Sequence, residues 1–282
     1  MDVERTSLEP EPIEAPAPRP DGGRRARARR EWLGRRIAPL FVLVWLASWE
    51  LAARAGWISS LFYPPPSAIL AALGDMASGG VLAANLAASF LRILVGFVLG
   101  GGAGLLVGLA MGWSRPLHLA LDPLIAAAHP VPRLALLPLI LLIFGIGETA
   151  RILVVGLSCF FPMLINAAAG VRQIEPVYFE VARNFGARPH QVLAHVVLPG
   201  SLPSVMAGTR LSLIRALKTT LGIELITSEK GLGHLLWFSW ESFHTDDLYA
   251  ALLVIALVGF AMNSALKRLV ARFQLAERTA PA

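Results

Sequence analysis

The chain has a single cysteine, Cys159, and only three lysines among its 282 residues. One cysteine can form neither an intrachain disulfide nor a thiolate metal site, which excludes a secreted disulfide scaffold. Charged residues make up 16% of the sequence, whereas soluble domains average roughly 25%. Apolar residues reach 55% and the mean hydropathy is +0.61, which leaves too little polar surface to cover a soluble protein. The composition therefore predicts an integral membrane protein.

Signatures of catalysis and of ATP binding are also missing from the sequence. Neither H-E-x-x-H nor G-x-S-x-G occurs. Lys218, Lys230 and Lys267 all lie outside any G-K-[ST] phosphate loop, so a partner must bind ATP if ATP is used. The net charge of +6 is compatible with nucleic-acid binding, but the basic residues gather at the ends of apolar segments. We expect no enzyme activity, no metal, no cofactor of its own and no nucleic-acid partner.

The first residues differ in composition from the rest of the chain. Residues 1–34 combine five prolines with a run of arginines and few apolar residues, which predicts a disordered basic cytoplasmic tail. We expect residues 35–272 to form a transmembrane domain and residues 273–282 a short cytoplasmic tail. A cleaved signal peptide is the alternative, but the apolar segment that follows the tail is longer than the usual signal core and further apolar segments follow it.

Six apolar segments approach the roughly 20 residues that a helix needs to cross a bilayer. They are Ile37–Ala53, Ile93–Gly112, Leu117–Gly145, Ile152–Val171, Leu202–Ile226 and Leu248–Leu266. Prolines break the third segment, which a membrane tolerates where neighbouring helices or a wet cavity satisfy the freed backbone groups. The fifth is the least apolar. The pattern predicts an all-α integral membrane protein with six transmembrane helices.

The distribution of basic residues predicts the orientation of these helices. With the N-terminal tail in the cytoplasm, seventeen Lys and Arg residues lie on the cytoplasmic side. Only Arg54, Arg92, Arg151 and Lys230 then lie on the opposite side. This asymmetry is the one that the positive-inside rule describes. We therefore expect both termini in the cytoplasm.

A regular spacing of glycine marks one helix of the predicted bundle. Glycine occurs at every fourth position of the second span, at Gly96, Gly100, Gly104, Gly108 and Gly112. Such a strip lets another helix approach closely, either in the same chain or in a second copy.

The fifth span carries four ionisable residues: Arg210, Arg215, Lys218 and Glu224. They fall within about half of the helical wheel. Ionisable groups at membrane depth usually face a wet cavity or one another, so these residues are candidates for a translocation pathway. Arg210, near the cytoplasmic end, has the alternative of reaching the lipid headgroups.

The longest internal cytoplasmic loop, residues 172–201, is predicted to form two short helices. The first begins at Pro176 and is stopped by Gly186. The second begins near Pro189 and ends at Val197. A helix–glycine–helix unit on this face has a shape suited to docking into another protein.

The same loop resembles a known motif. Glu180-Val181-Ala182, Gly186 and Val196-x-Leu198-Pro199 match the offsets of the EAA loop of bacterial ABC importer permeases, E-A-A-x3-G-x9-I-x-L-P. Val181 replaces the first alanine and Val196 replaces the isoleucine. Further segments resemble the nitrate/sulfonate/taurine branch of that family. They are Phe62-Tyr63-Pro64-Pro65-Pro66-Ser67, Leu121-Asp122-Pro123-Leu124, Pro130-Val131-Pro132, Phe144-Gly145-Ile146-Gly147, Phe160-Phe161-Pro162, Arg210-Leu211 and Gly231-Leu232-Gly233. Lys218-Thr219-Thr220 departs from the branch, which has apolar or aromatic residues there.

The resemblance implies a homodimeric permease in the bacterial inner membrane, with two cytoplasmic ATPase subunits that bind ATP and a periplasmic solute-binding protein. It also implies that Glu180 to Gly186, followed by Leu198 and Pro199, form the element that couples the permease to the ATPase.

The sequence does not identify the solute. Arg215 and Lys218, doubled by a homodimer, favour a small anion such as a sulfonate, nitrate or carboxylate. Import of another solute, such as a thiamine precursor or a phosphonate, is the alternative within the family. A passive channel and an intramembrane enzyme are the alternatives outside it.

Overall fold

The computed structural model describes residues 39–279, with side chains described for residues 39–268. The regular elements in this range are all helices. We number them α1 (39–54), α2 (Pro66–Ser78), α3 (Val81–Trp113), α4 (Arg115–Ala128), α5 (Leu137–Phe144), α6 (Glu148–Arg172), α7 (Pro176–Asn184), α8 (Pro189–Thr227), α9 (Leu232–Glu241) and α10 (Thr245–Thr279). The predicted tail at residues 1–34 lies outside the described residues.

Four of these helices are long and apolar enough to cross a membrane: α3, α6, α8 and the first 24 residues of α10. The helices α4 and α5 meet these criteria only as a pair, because the chain bends by 87° between them. The described part of α1 is apolar but shorter than a full span. The prediction of an all-α membrane protein agrees with this architecture, which has four or five candidate spans within residues 39–279.

The second predicted span begins earlier than its hydropathy indicates. The helix α3 starts at Val81 rather than at Ile93, so Arg92 lies three turns inside the helix and not in an outer loop. The side chain of Arg92 is only 4% exposed, because two carboxylates pair with it. A charged residue that is paired in this way interrupts the hydropathy pattern without ending the helix.

The loop of residues 172–201 also differs from its prediction at one end. The helix that begins at Pro189 does not end at Val197 but continues through a π-helical turn, Leu193–Val197, into the long segment Leu198–Thr227. Pro199 directly follows the π-helical turn, in which the N–H of Leu198 donates to the carbonyl of Leu193, and this wider turn allows a residue without an N–H inside the helix. The proline is therefore accommodated, and the docking loop is continuous with the span that follows it.

The bend between α4 and α5 follows from the local sequence. Pro130 and Pro132 lie between the two helices, and a single 3₁₀ turn, Arg133–Leu136, leads into α5. Neither proline has a backbone N–H to donate, and Pro132 has an extended backbone with φ −63° and ψ 120°, so the helical hydrogen bonds are interrupted here. Gly145, with φ +79°, then ends α5.

The helix α6 lies at the centre of the bundle, between α3 and α8. Its residues Ala150, Val154, Val155 and Cys159 are fully buried. The hydroxyl of Ser212 in α8 donates a hydrogen bond of 2.9 Å to the carbonyl oxygen of Cys159, which fixes the two helices side by side. The site residues described below are therefore held on a rigid central helix and its two neighbours.

Candidate functional site

The coupling loop folds as a short helix with a defined end. The backbone N–H of Gly186 donates to the carbonyl of Arg183 at 2.9 Å, and that of Ala187 donates to Ala182 at 2.9 Å. Gly186 has a φ of +68°, a conformation that a glycine adopts without strain. These two hydrogen bonds close the C-terminus of α7 and turn the chain into α8.

One face of α7 is packed and the other is open. Phe179 packs against the buried cluster of Leu109, Ala167, Val171 and Val197 at the ends of α3, α6 and α8. On the opposite side Glu180 and Val181 are exposed, as are Tyr178 and Phe185, the last of them to 87%. Leu198 and Pro199, which complete the motif, are exposed as well. The loop is thus anchored by one aromatic side chain and presents apolar residues beyond the bundle.

The five glycines of α3 all face α6. A Cβ atom at Gly108 would stand 2.5 Å from the carbonyl oxygen of Leu164, and one at Gly96 would stand 2.6 Å from a methyl carbon of Val155. A Cβ at Gly100 would overlap the backbone of Gly156. Gly104 and Gly112 meet Phe160 and Val171 in the same way. The strip is a contact within the chain, where two backbones approach each other without side chains between them.

The four ionisable residues of α8 do not come together on one surface. Arg210 and Lys218 lie beside a small cavity between α8 and α10, whose other residues include Gly259 and Met262. Arg215 faces the bend between α4 and α5. Glu224 faces α3 and is 1% exposed, so its carboxylate is enclosed in the bundle instead of lining an open space.

Glu224 belongs to a closed ion-pair network with α3. Its carboxylate lies 2.7 Å from the Arg92 guanidinium and accepts hydrogen bonds from the Ser89 hydroxyl at 2.8 and 2.9 Å. The backbone N–H of Gly233 donates to the same carboxylate at 2.9 Å. Each carboxylate oxygen therefore has partners, as a buried charge requires.

A second carboxylate completes the network at the start of α6. Arg92 pairs with Glu148 through two hydrogen bonds, of 2.8 and 2.7 Å, and Glu148 also pairs with Arg151 at 2.6 Å. Arg151 in turn donates to the carbonyl of Thr227, at the end of α8. Two arginines and two glutamates thus tie the ends of α3, α6 and α8 together with no excess charge.

The network was not predicted from the sequence, where Arg92 was assigned to a loop and Glu148 was not singled out. A signal for it exists in α3. Asn85, Ser89 and Arg92 are spaced by four and three residues, which places three polar side chains on one face of an otherwise apolar helix. Asn85 accepts a hydrogen bond of 2.7 Å from the N–H of Gly231, next to the network.

A second cationic group that the sequence reasoning missed lies at the bend. The guanidinium carbon of Arg133 is 4.5 Å from the centre of the Phe161 ring, and the His129 ring lies 5.9 Å from the same ring. Arg215 lies near enough to act electrostatically on both residues. Arg133 is the only charged residue between Asp122 and Glu148. An isolated charge in a long apolar segment is the sequence feature that could have identified it as a candidate site residue.

A family model matches residues 100–276, more than half of the chain: "Binding-protein-dependent transport system inner membrane component". Among curated proteins, the chain is 39% identical over 231 residues to the putative aliphatic sulfonates transport permease SsuC of Escherichia coli, covering 82% of this chain and 88% of that protein. It is 38% identical to the taurine transport system permease TauC of the same organism, over 84% and 87% of the two chains. It is 33% identical to the putative SsuC of Bacillus subtilis, over 84% and 85%.

Solved structures agree at the level of the fold. A chain of the inward-facing MetNI methionine ABC transporter matches 67% of this chain and 92% of its own length, with a TM-score of 0.54 and 21% identity. A chain of an amino acid ABC transporter matches 71% and 96%, with a TM-score of 0.57 and 20% identity. The protein therefore belongs to the inner membrane components of binding-protein-dependent transport systems, and it is the non-enzymatic, multi-pass permease subunit of an ABC importer whose partner ATPase hydrolyses ATP.

Proposed function

We propose that this permease imports a small sulfonate, or a closely similar small anion, across the inner membrane. Support for the solute class comes from the SsuC and TauC relatives at 38–39% identity. The observation in this chain that carries the proposal is a group of cations without counter-charges: Arg133 and Arg215 form no ion pair with any carboxylate of residues 39–268. Uncompensated cations at membrane depth favour an anionic solute.

The permease works as a homodimer of six-span subunits with both termini in the cytoplasm. In this arrangement α1 is the first span, the pair α4 and α5 is the third, and α7 lies in the cytoplasm. In agreement with it, the exposed helix α7 and the Arg92–Glu148 network lie at opposite ends of α6. The excess of basic residues on the α7 side supports the same orientation. The solute is delivered from outside by a binding protein.

The helix α7 docks into a groove of the ATPase subunit. Phe185 and Tyr178 supply the exposed apolar contact, and Glu180 supplies a carboxylate beside it. Because Phe179 anchors α7 on α3, α6 and α8, a displacement of α7 by the ATPase moves the ends of all three helices. Leu198 and Pro199 complete the coupling element at the start of the long segment of α8.

The coupling role is tested with Gly186→Pro and Glu180→Ala in the assembled transporter. Proline lacks the N–H that Gly186 donates and cannot adopt its positive φ, so the end of α7 must change. We expect ATP-driven uptake to fall by about tenfold in the proline variant, the size of a typical allosteric coupling. The matched control is Glu241→Ala, which removes an exposed carboxylate at the opposite end of the bundle. Normal coupled uptake in both loop variants would refute the assignment.

The solute class is tested by uptake in proteoliposomes that contain the permease, its ATPase and its binding protein. Labelled taurine and ethanesulfonate are compared with nitrate, a phosphonate, a carboxylate and a thiamine precursor. We expect ATP-dependent accumulation of the sulfonates. Accumulation of the thiamine precursor alone would refute an anionic solute, and flux without ATP would indicate a channel.

A further inference from the structure

We propose that the bend between α4 and α5 and the facing turn of α8 form a contact site for the charged head group of the transported anion, made by Arg133, Arg215 and His129. This inference rests on the proposed function, because it assigns the part of the pathway that binds the proposed solute class. It adds two residues, Arg133 and His129, that neither the sequence motifs nor the similarity to known permeases singles out.

The two positions that flank Arg133 lie far from the helix ends that carry the Arg92 network. Arg215 precedes the end of α8 at Thr227 by 12 residues, which corresponds to about 18 Å along the helix. Phe161 follows the start of α6 at Glu148 by 13 residues, or about 20 Å. These distances are shorter than the thickness of a hydrocarbon core, about 30 Å, so we assign both positions to the membrane interior. Arginines at this depth are costly unless they serve a pathway or have partners.

Packing holds the bend against α8 on the side where Arg215 lies. A Cβ atom at Gly222 would stand 2.8 Å from a methyl carbon of Leu134, so the residue after Arg133 rests on that glycine. Gly222 follows Arg215 by seven residues, which is almost two full turns, and the two share a helix face. The ring of Phe161 in α6 forms the floor, with the Arg133 guanidinium 4.5 Å above its centre. Three helices therefore converge on one cationic spot.

The Arg133 guanidinium has hydrogen-bond partners on one side and none on the other. Its Nη1 donates to the backbone carbonyls of His129 and Val131, which fixes the orientation of the guanidinium. Its Nε and Nη2 atoms are buried without a hydrogen-bond partner, and so is Nδ1 of His129. The Nε and Nη2 groups form the side edge of the guanidinium, which matches two oxygens of one anionic group. A sulfonate presents three such oxygens.

The charge balance at this spot is also incomplete. Within residues 39–268, Glu50 pairs with Arg54, Glu148 pairs with both Arg92 and Arg151, and Glu224 pairs with Arg92. None of these ion pairs includes Arg133 or Arg215. Arg133 and Arg215 are close enough to interact electrostatically, and their like charges repel each other. An anion bound between them removes this repulsion and supplies acceptors for the unsatisfied donors. The site is therefore built for a transient anionic ligand.

The test uses the reconstituted permease–ATPase complex, with saturating binding protein loaded with labelled taurine. The variants are Arg133→Gln, Arg133→Lys and Arg215→Gln. The matched control is Arg115→Gln, which removes the same charge from the exposed first residue of α4, the helix that leads into the bend. We expect the Arg133→Gln and Arg215→Gln variants to lower maximal uptake by about tenfold or more, the loss expected when a charge-assisted hydrogen bond is removed. Arg133→Lys should recover part of the uptake, and Arg115→Gln should keep it.

ATP hydrolysis that is stimulated by the loaded binding protein separates this role from a structural one. It should stay near the wild-type rate in the glutamine variants, because folding, docking and nucleotide turnover do not use the head-group site. As a direct probe, saturation-transfer NMR of ethanesulfonate with the permease–ATPase complex alone should give a signal in the wild type and in Arg115→Gln. The signal should be lost in Arg133→Gln.

The outcomes separate this inference from the proposed function. If the wild type accumulates no sulfonate, the proposed solute class itself is refuted. If the wild type accumulates taurine and the glutamine variants do so equally well, the pathway contact is refuted and the proposed function stands. If chloride removes the ethanesulfonate signal while taurine uptake is unchanged, the cluster holds an inorganic counter-ion and the inference is overturned.

Discussion

The buried pair of Glu224 with Arg92 provides a quantitative test of what holds the ends of α3, α6 and α8 together. The substitution Glu224→Gln keeps the size of the side chain and removes its charge. The Glu224 side chain is fully buried and that of Arg92 is 4% exposed, so water cannot replace the lost partner. Breaking a buried ion pair by removing one partner costs about 3–5 kcal/mol. Arg92 keeps Glu148 at 2.7 Å, and we therefore expect the lower limit, about 3 kcal/mol.

The assay follows from the position of the only cysteine. Cys159 is fully buried in α6, so a thiol-reactive fluorophore labels it only when the core opens. A thermal ramp in detergent with such a dye then gives an unfolding midpoint. For a chain of this size, 3 kcal/mol corresponds to a decrease of about 6–12 °C. The control is Glu229→Gln, which removes an exposed carboxylate from the neighbouring loop and should leave the midpoint unchanged.

A double variant separates the pair interaction from the separate effects of each residue. In Arg92→Met/Glu224→Leu both buried charges are absent, and Glu148 keeps Arg151 at 2.6 Å. The double variant should lose less stability than the sum of Arg92→Met and Glu224→Leu, because Arg92→Met alone leaves the buried Glu224 charge without a cationic partner and the double variant does not. A midpoint of Glu224→Gln within the error of the wild type would refute the reasoning.

Two further predictions concern the core of the bundle. Gly100→Ala should destabilise the protein by about 1–3 kcal/mol, because the added Cβ atom overlaps the Gly156 backbone. The control is Gly102→Ala on the same helix, whose Cβ atom meets open space, and it should be neutral or slightly stabilising. Equal unfolding midpoints of the two variants in the thiol assay would contradict a tight contact between α3 and α6. Cys159 should resist a water-soluble maleimide in the folded protein, whereas a cysteine introduced by Phe185→Cys, at a position 87% exposed, should react at once. Rapid labelling of Cys159 without denaturant would contradict the central position of α6.

The family and the local features could be predicted from the sequence because they depend on short-range patterns. The resemblance to ABC importer permeases rests on offsets within one loop, and the comparisons confirm it. The glycine spacing in α3 predicted a close helix contact, although not which helix would supply it. The prolines after α4 predicted a break, although not its angle of 87°.

The ion-pair network could not be predicted in the same way, because its partners are distant along the chain. Arg92 meets residues 56 and 132 positions further on, and only the packing of α3, α6 and α8 brings them together. Hydropathy also penalises a charged residue whether or not it is paired, so Arg92 was assigned to a loop. The surroundings of Arg133 depend on a contact of the same kind, because Phe161 is 28 residues further on and meets it only when the bend packs against α6.

The charged residues that stabilise this permease differ from those proposed to contact the solute because they have partners of opposite charge. Their depth in the bundle distinguishes the two groups less well. The Arg92 network combines two arginines with two glutamates, and both oxygens of Glu224 have partners, so its charges are balanced within the chain. The group at Arg133 has buried donors without acceptors and no carboxylate partner among residues 39–268. A solute-binding site must be incomplete when it is empty, because interactions that are already satisfied contribute nothing to binding. On this criterion Glu224 ties α3 to α8, and the cationic bend is the proposed place where a small anion is bound and released.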